Sequence, residues 1–136
     1  MSVIEGQTFT MGQISGLYIK MKTTDVKQYQ NKKTQATETI VGTFRYHFDD
    51  KYQYFEIYHN DKKAMSTKSK YYLSDTKEDT FDESKWGAAT SGKYIISISS
   101  DSARVSVMEI LMLNENEIKV NIGNKEHIGE VLNSVN

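Results

Sequence analysis

Between residues 92 and 122 the side chains alternate in character over three successive runs separated only by short polar breaks, a pattern that a helix cannot bury on one face. The run GKYIISISS (92–100) sets Tyr94, Ile96 and Ile98 on one face against Ile95, Ser97 and Ser99. After Ser-Asp-Ser comes ARVSVMEILML (103–113); after Asn-Glu-Asn comes EIKVNI (117–122), with Ile118, Val120 and Ile122 opposed to Glu117, Lys119 and Asn121. A period of two joined by tight polar links defines a three-stranded antiparallel meander. The complete absence of proline, with nine tyrosines and five phenylalanines, favours strands in the rest of the chain as well.

The same reading extends upstream. In ETIVGTFRYHF (38–48), Ile40, Phe44, Tyr46 and Phe48 share one face, with Thr39, Thr43, Arg45 and His47 on the other; the turn at Asp-Asp-Lys leads into a returning strand YQYFEIY (52–58). SGLYIKMK (15–22) alternates Leu17, Ile19 and Met21 with Tyr18, Lys20 and Lys22, and KSKYYLS (68–74) is a short candidate strand. The lysine-rich, weakly apolar segment 23–37 reads as a solvated loop or frayed helix. In the long connection 75–91, Thr80 followed three residues later by Glu83 forms a capping-box pattern, with Gly87 as a left-handed stop. It predicts about two helical turns whose Phe81 and Trp86 plug one end of the sheet or barrel, with Trp86 largely buried. The C-terminal segment 124–136 spaces Ile128, Val131, Leu132 and Val135 at helical intervals, with Asn124 as a cap, and reads as a short helix packed on the sheet or as a final strand.

Composition removes several functions. A formal net charge of −1 provides no global field to recruit nucleic acid or an anionic membrane. Without cysteine there are no disulfides, thiolate metal sites or thiol nucleophiles. No stretch approaches the ~18 apolar residues of a membrane-spanning helix, so membrane insertion is not expected. The N-terminus lacks the basic start and apolar run of a secretory leader; a cytoplasmic address is expected if it is native, a periplasmic one if a leader was removed. The acids Asp75, Asp79, Asp82 and Glu83 lack the alternating ligand pattern and central glycine of a calcium loop. His47, His59 and His127 stand apart, no serine or carboxylate motif frames them, and the eight glycines form no phosphate loop. No catalytic residue, metal site or cofactor is implied.

Seven or eight short antiparallel strands in one domain of 136 residues suit an all-β, up-and-down barrel of about eight strands, or a β-sandwich. The segments ISGLYIKM, GTFRYHF and the long meander GKYIISISSDSARVSVMEILMLNENEIKV are similar to the compact lipocalin-like domains of bacteria, within the calycin group, over roughly residues 14–122. Gly16, Leu17 and Tyr18 occupy the place of that group's Gly-x-Trp motif. The resemblance implies an antiparallel barrel whose interior can hold a small apolar ligand.

A barrel of about eight strands is wide enough either to be filled by its own side chains or to hold one small ligand. On this parity Phe44, Tyr46, Phe48, Tyr94, Ile96, Val107 and Leu111 point inward as candidate ligand contacts. Glu109 shares their face, where it reads as a polar anchor meeting Tyr46 or Tyr94, as a carboxylate satisfied by tyrosine hydroxyls, or as a residue returned to the surface by a bulge. Two functions follow from different classes. One is non-catalytic binding of a small hydrophobic or aromatic molecule in a barrel cavity. The other is a protein-interaction module, of inhibitor or immunity type, with a filled barrel and a surface presenting Tyr18, Tyr29, Tyr58 and Tyr72. The apolar strand 110–113 has residues to cover on both faces, either by a C-terminal helix or by another subunit of a homo-oligomer.

Overall fold

Strands appear in the order the alternating runs imply, and the computed structural model describes residues 7–132. A short β1 (Phe9–Thr10) enters one helical turn, α1 (Met11–Ile14), and is followed by β2 (Tyr18–Met21), β3 (Asp25–Gln30), β4 (Thr37–Phe48), β5 (Tyr52–His59) and β6 (Lys62–Ser74). After a 3-10 turn (Glu83–Lys85) come β7 (Ser91–Gly92), β8 (Tyr94–Ser99), β9 (Val105–Met112), β10 (Glu117–Ile122) and β11 (Lys125–Val131). The ladder runs β2-β11-β10-β9-β8-β6-β5-β4, and β4 pairs again with β2. That last pairing sets Ile19 opposite Tyr46 and closes an antiparallel barrel of eight strands. Closure leaves β2 no free edge.

One end of the barrel is packed solid. Ile19, Tyr71, Leu73, Ile95, Ile110, Ile118 and Val120 are almost fully buried there, with Phe48 edge-on to Tyr71 at 5.4 Å. Helix α1 seals this end by inserting Ile14 beside Leu17, and its own start is fixed by reciprocal hydrogen bonds between Thr10 and Gln13. Gly129 is required in β11 because a Cβ there would lie 2.5 Å from Cγ2 of Ile19 and 3.2 Å from Cγ2 of Ile118. Burying such aliphatic side chains contributes roughly 1.5–3 kcal/mol each.

Three expectations are corrected, and the choice between helix and final strand at the C-terminus is decided. The C-terminal segment is the closing strand β11 and not a helix, because its residues pair on both sides, with β10 and with β2; Asn124 sits in the β10–β11 turn beside Gly123 at φ 62°, and Val135 lies outside the described residues. The 23–37 segment contains β3, a strand exposed along its whole length and paired only with Thr37–Gly42 of β4. Strand β6 begins at Lys62, well before residue 68, because Asn60 and Asp61 both take left-handed φ in a tight β5–β6 turn. The 75–91 connection makes only a single 3-10 turn capped by Asp82, since the Glu83 carboxylate is drawn 3.3 Å from Lys70 and does not fold back on Thr80.

That connection also does not plug an end of the barrel. It lies over the outer face of β6 and β8, where Tyr72 packs on Phe81 at 4.9 Å and Tyr72 and Ile96 are wholly buried. Glu78 fastens it, accepting from the hydroxyls of Tyr72 at 2.5 Å and Ser74 at 2.6 Å and from Lys85 at 3.0 Å. Half-buried Trp86 donates its Nε1–H to the Lys51 carbonyl at 2.8 Å and packs edge-on against Tyr52. Among the described residues no helix is long and apolar enough to cross a membrane.

Candidate ligand site in the barrel mouth

Cross-strand register fixes which side chains enter the barrel. Phe48 pairs with Gln53, Tyr46 with Phe55 and Phe44 with Ile57; Gln53 pairs with Ser69, Ser69 with Ser99, and Ser97 with Ser106. All share the parity of the buried core residues Tyr71, Ile95 and Met108. Toward the end away from α1 the interior therefore changes from aliphatic to hydroxyl-bearing, and it opens.

Two chambers occupy this mouth, and Tyr46 and Phe55 line both. The larger, about 450 Å³, is bounded by Gln53, Thr67, Ser69, Ser97 and Ser106, with Asp101 and Arg104 at the exposed rim formed by the β8–β9 turn. The smaller, about 190 Å³, is lined by Met21, Thr23, Phe44, Ile122 and His127. Burial pushes the Tyr46 hydroxyl up to about 12, which keeps it neutral and available as donor or acceptor at ordinary pH.

Only part of the sequence-derived set gathers here. Phe44 and Tyr46 line the mouth, and Phe48 lies deeper, in the packed core. Tyr94, Ile96, Val107, Glu109 and Leu111 belong to the opposite parity and face outward. The inward assignment of these five is corrected by register: the residues of β8 and β9 that enter the barrel are Ile95, Ser97, Ser99, Ser106, Met108, Ile110 and Met112. Ile96 is buried under the 75–91 connection. Glu109 stands opposite Tyr94 and accepts from the Asn121 amide at 3.2 Å on the barrel's exterior, where Tyr94, Val107, Glu109 and Asn121 border a separate outer groove of about 250 Å³. Leu111 lies beside Lys119 on the outer wall, and among the described residues no C-terminal helix covers it.

Gln53, the serines and His127 were not singled out from the sequence. Their signal is polar residues on the parity of an aliphatic core, which singly reads as a solvent-facing strand.

The tyrosines proposed for a protein-binding surface are dispersed. Tyr72 is wholly buried, while Tyr29 is exposed on the β3 ribbon and hydrogen-bonds Glu38. Tyr18 and Tyr58 belong to a knot on the outside of β2, β4 and β5. There His47 is stacked between Tyr18 and Tyr54 at 5.1 and 4.5 Å, and Arg45 lies 4.2 Å above the Tyr58 ring. Glu56, only 3% exposed, sits at its centre, accepting from Tyr18 at 2.8 Å and Lys63 at 3.0 Å with His47 Nε2 3.3 Å away. Burial alone would raise the Glu56 carboxyl, but the Lys63 and Tyr18 hydrogen bonds and the nearby His47 outweigh it and hold the group below its ordinary value.

In comparisons with protein-family models, curated proteins and solved structures, nothing matches this chain. The fold and the mouth define the class: an antiparallel eight-stranded barrel with one sealed and one open end.

Proposed function

We propose that the protein is a non-catalytic, lipocalin-like binding protein that takes up a small hydrophobic or aromatic molecule in the mouth of its barrel. The observation that carries this reading is the lengthwise division of the interior. Side chains fill the half near α1, whereas the other half retains two chambers that share Tyr46 and Phe55, the smaller walled mainly by aromatic and aliphatic groups and the larger mainly by polar ones. Concave, partly apolar sites with a few placed polar groups are where small ligands bind. The 190 Å³ chamber between Phe44, Tyr46, Phe55 and Ile122 suits a flat apolar ring.

Titration with 1-aminoanthracene, a neutral aromatic fluorophore that brightens in apolar surroundings, tests the proposal. Saturable one-to-one binding is expected. Phe55→Trp, which enlarges a side chain shared by both chambers, should weaken it by about tenfold or more, equivalent to ~1.4 kcal/mol. Val107→Trp in the outer groove should leave it unchanged. Absence of saturable binding, or sensitivity to Val107→Trp alone, would overturn the reading.

A further inference from the structure

Among the described residues three buried side-chain polar atoms have no hydrogen-bond partner: Arg45 Nε, Gln53 Oε1 and Asn121 Oδ1. Arg45 lies in the outer knot beneath its cation–π contact, and Asn121 borders the outer groove, where its amide nitrogen is engaged by Glu109. Gln53 differs from both because it is 7% exposed and lines the larger chamber of the mouth. A buried amide oxygen left without a donor is costly, by about 1–3 kcal/mol. Exchanging the amide oxygen and nitrogen would leave a buried N–H unpaired in its place.

The surroundings of Gln53 specify what would satisfy it. Thr67, Ser69, Ser97 and Ser106 enter the same chamber from three strands, and each hydroxyl can both donate and accept. Asp101 and Arg104, the charged residues that border the chamber, are exposed at its rim, as is Ser106, whereas Gln53 and Ser97 are buried. An ionised ligand head would therefore lose its hydration without gaining a counter-charge. A neutral group carrying several hydroxyls loses water but regains hydrogen bonds. Tyr46 and Phe55, with ring centroids 4.9 Å apart, join this polar chamber to the apolar one and offer an aromatic surface to both.

We infer that the ligand is bipartite, an aryl glycoside in chemical class, with its aromatic ring in the chamber of Phe44 and Ile122 and its neutral sugar against Gln53 and the serine belt. This inference rests on the barrel mouth being the binding site, and it assigns the second chamber a role that an apolar ligand alone would not use.

The test compares 4-methylumbelliferone with 4-methylumbelliferyl β-glucoside, two fluorescent probes that share one aromatic ring system. The wild-type protein should bind the glucoside at least tenfold more tightly than the free phenol, a difference of about 1.4 kcal/mol. Gln53→Leu, which keeps the shape and removes the amide, should abolish that advantage. Ser97→Ala provides a second reading, with a smaller loss, should Gln53→Leu fail to fold by circular dichroism. If the phenol binds and the glucoside binds no better, the bipartite ligand is overturned while the mouth as a site stands. A glucoside advantage that survives Gln53→Leu and Ser97→Ala also overturns it. If neither probe binds and 1-aminoanthracene does not either, both proposals fall.

Discussion

Tyr46 on β4 and Phe55 on β5 are cross-strand partners whose rings meet at 4.9 Å and 40°, and between them they wall both chambers of the barrel mouth. Deeper along the same strands, Phe48 faces Gln53, and below that level aliphatic side chains close the interior. A barrel of this size is wide enough to be filled by its own side chains or to leave internal space; here side chains fill one half and the other half is open.

This division has a measurable consequence for stability. Ile19→Ala in the packed half should cost about 2–5 kcal/mol, the usual range for an aliphatic truncation that leaves a cavity. Thr67→Ala at the mouth should stay within about 0.5 kcal/mol, since its side chain borders open space. Urea denaturation of the two variants measures both values. Equal costs would mean that the two halves are packed alike.

Gly129 and Ile19 should behave as a coupled pair. A Cβ at residue 129 would lie 2.5 Å from Ile19 Cγ2, so Gly129→Ala alone should destabilise by about 1–3 kcal/mol through overpacking. In the double variant Ile19→Ala, Gly129→Ala the new methyl occupies the vacated space, and the combined cost should fall below the sum by at least about 0.5 kcal/mol. A double-mutant cycle closing to zero would contradict this placement of β11 against β2.

Acid should loosen the strap over the outer face. Hydrogen bonds from Ser74, Tyr72 and Lys85 hold the Glu78 carboxyl down at about 2, against 4.5 for the free side chain. A carboxyl depressed in the folded state contributes stability that is fully present above its unfolded value and is lost as the pH falls through the folded one. The stabilisation should therefore decline between about pH 4.5 and pH 2. Glu78→Gln should flatten that part of the stability profile, as read by thermal melting across the range. A slope unchanged by the substitution would assign the acid sensitivity to other groups.

The knot around Glu56 should depend on its charge. Glu56→Gln keeps the shape but removes the carboxylate from Lys63, Tyr18 and His47, and it should cost about 1–3 kcal/mol because the carboxylate is buried and multiply bonded. Lys63→Met leaves the buried carboxylate without its ammonium partner and should also destabilise, by about 1–3 kcal/mol. Denaturant midpoints measure both costs, and a neutral Glu56→Gln would show that the knot adds nothing to stability.

Much of the barrel was legible in the alternating runs, since β2, β4, β5, β8, β9 and β10 coincide with them. What misled was the assumption that the more apolar parity faces inward. In β8 the more apolar face, Tyr94, Ile96 and Ile98, is the outer one, because the 75–91 connection supplies a second, external core over Ile96 and Tyr72. The inner face carries Ser97 and Ser99 because the mouth is polar. Glu109 among Val105, Val107 and Leu111 was the sign that this parity meets solvent. Strand β3 left no trace because both its faces are exposed, whereas the beginning of β6 was signalled by Asn60-Asp61, a pair suited to a left-handed turn.

The claim that the open mouth is the binding site is tested most directly by mapping amide chemical shifts on the isotopically labelled protein while adding 1-aminoanthracene. The largest shifts are expected at Phe44, Tyr46, Phe55, Ile122 and His127, the residues bordering the apolar chamber. Shifts confined to Tyr94, Val107, Glu109 and Asn121 around the outer groove, or no saturable shifts anywhere, would contradict it.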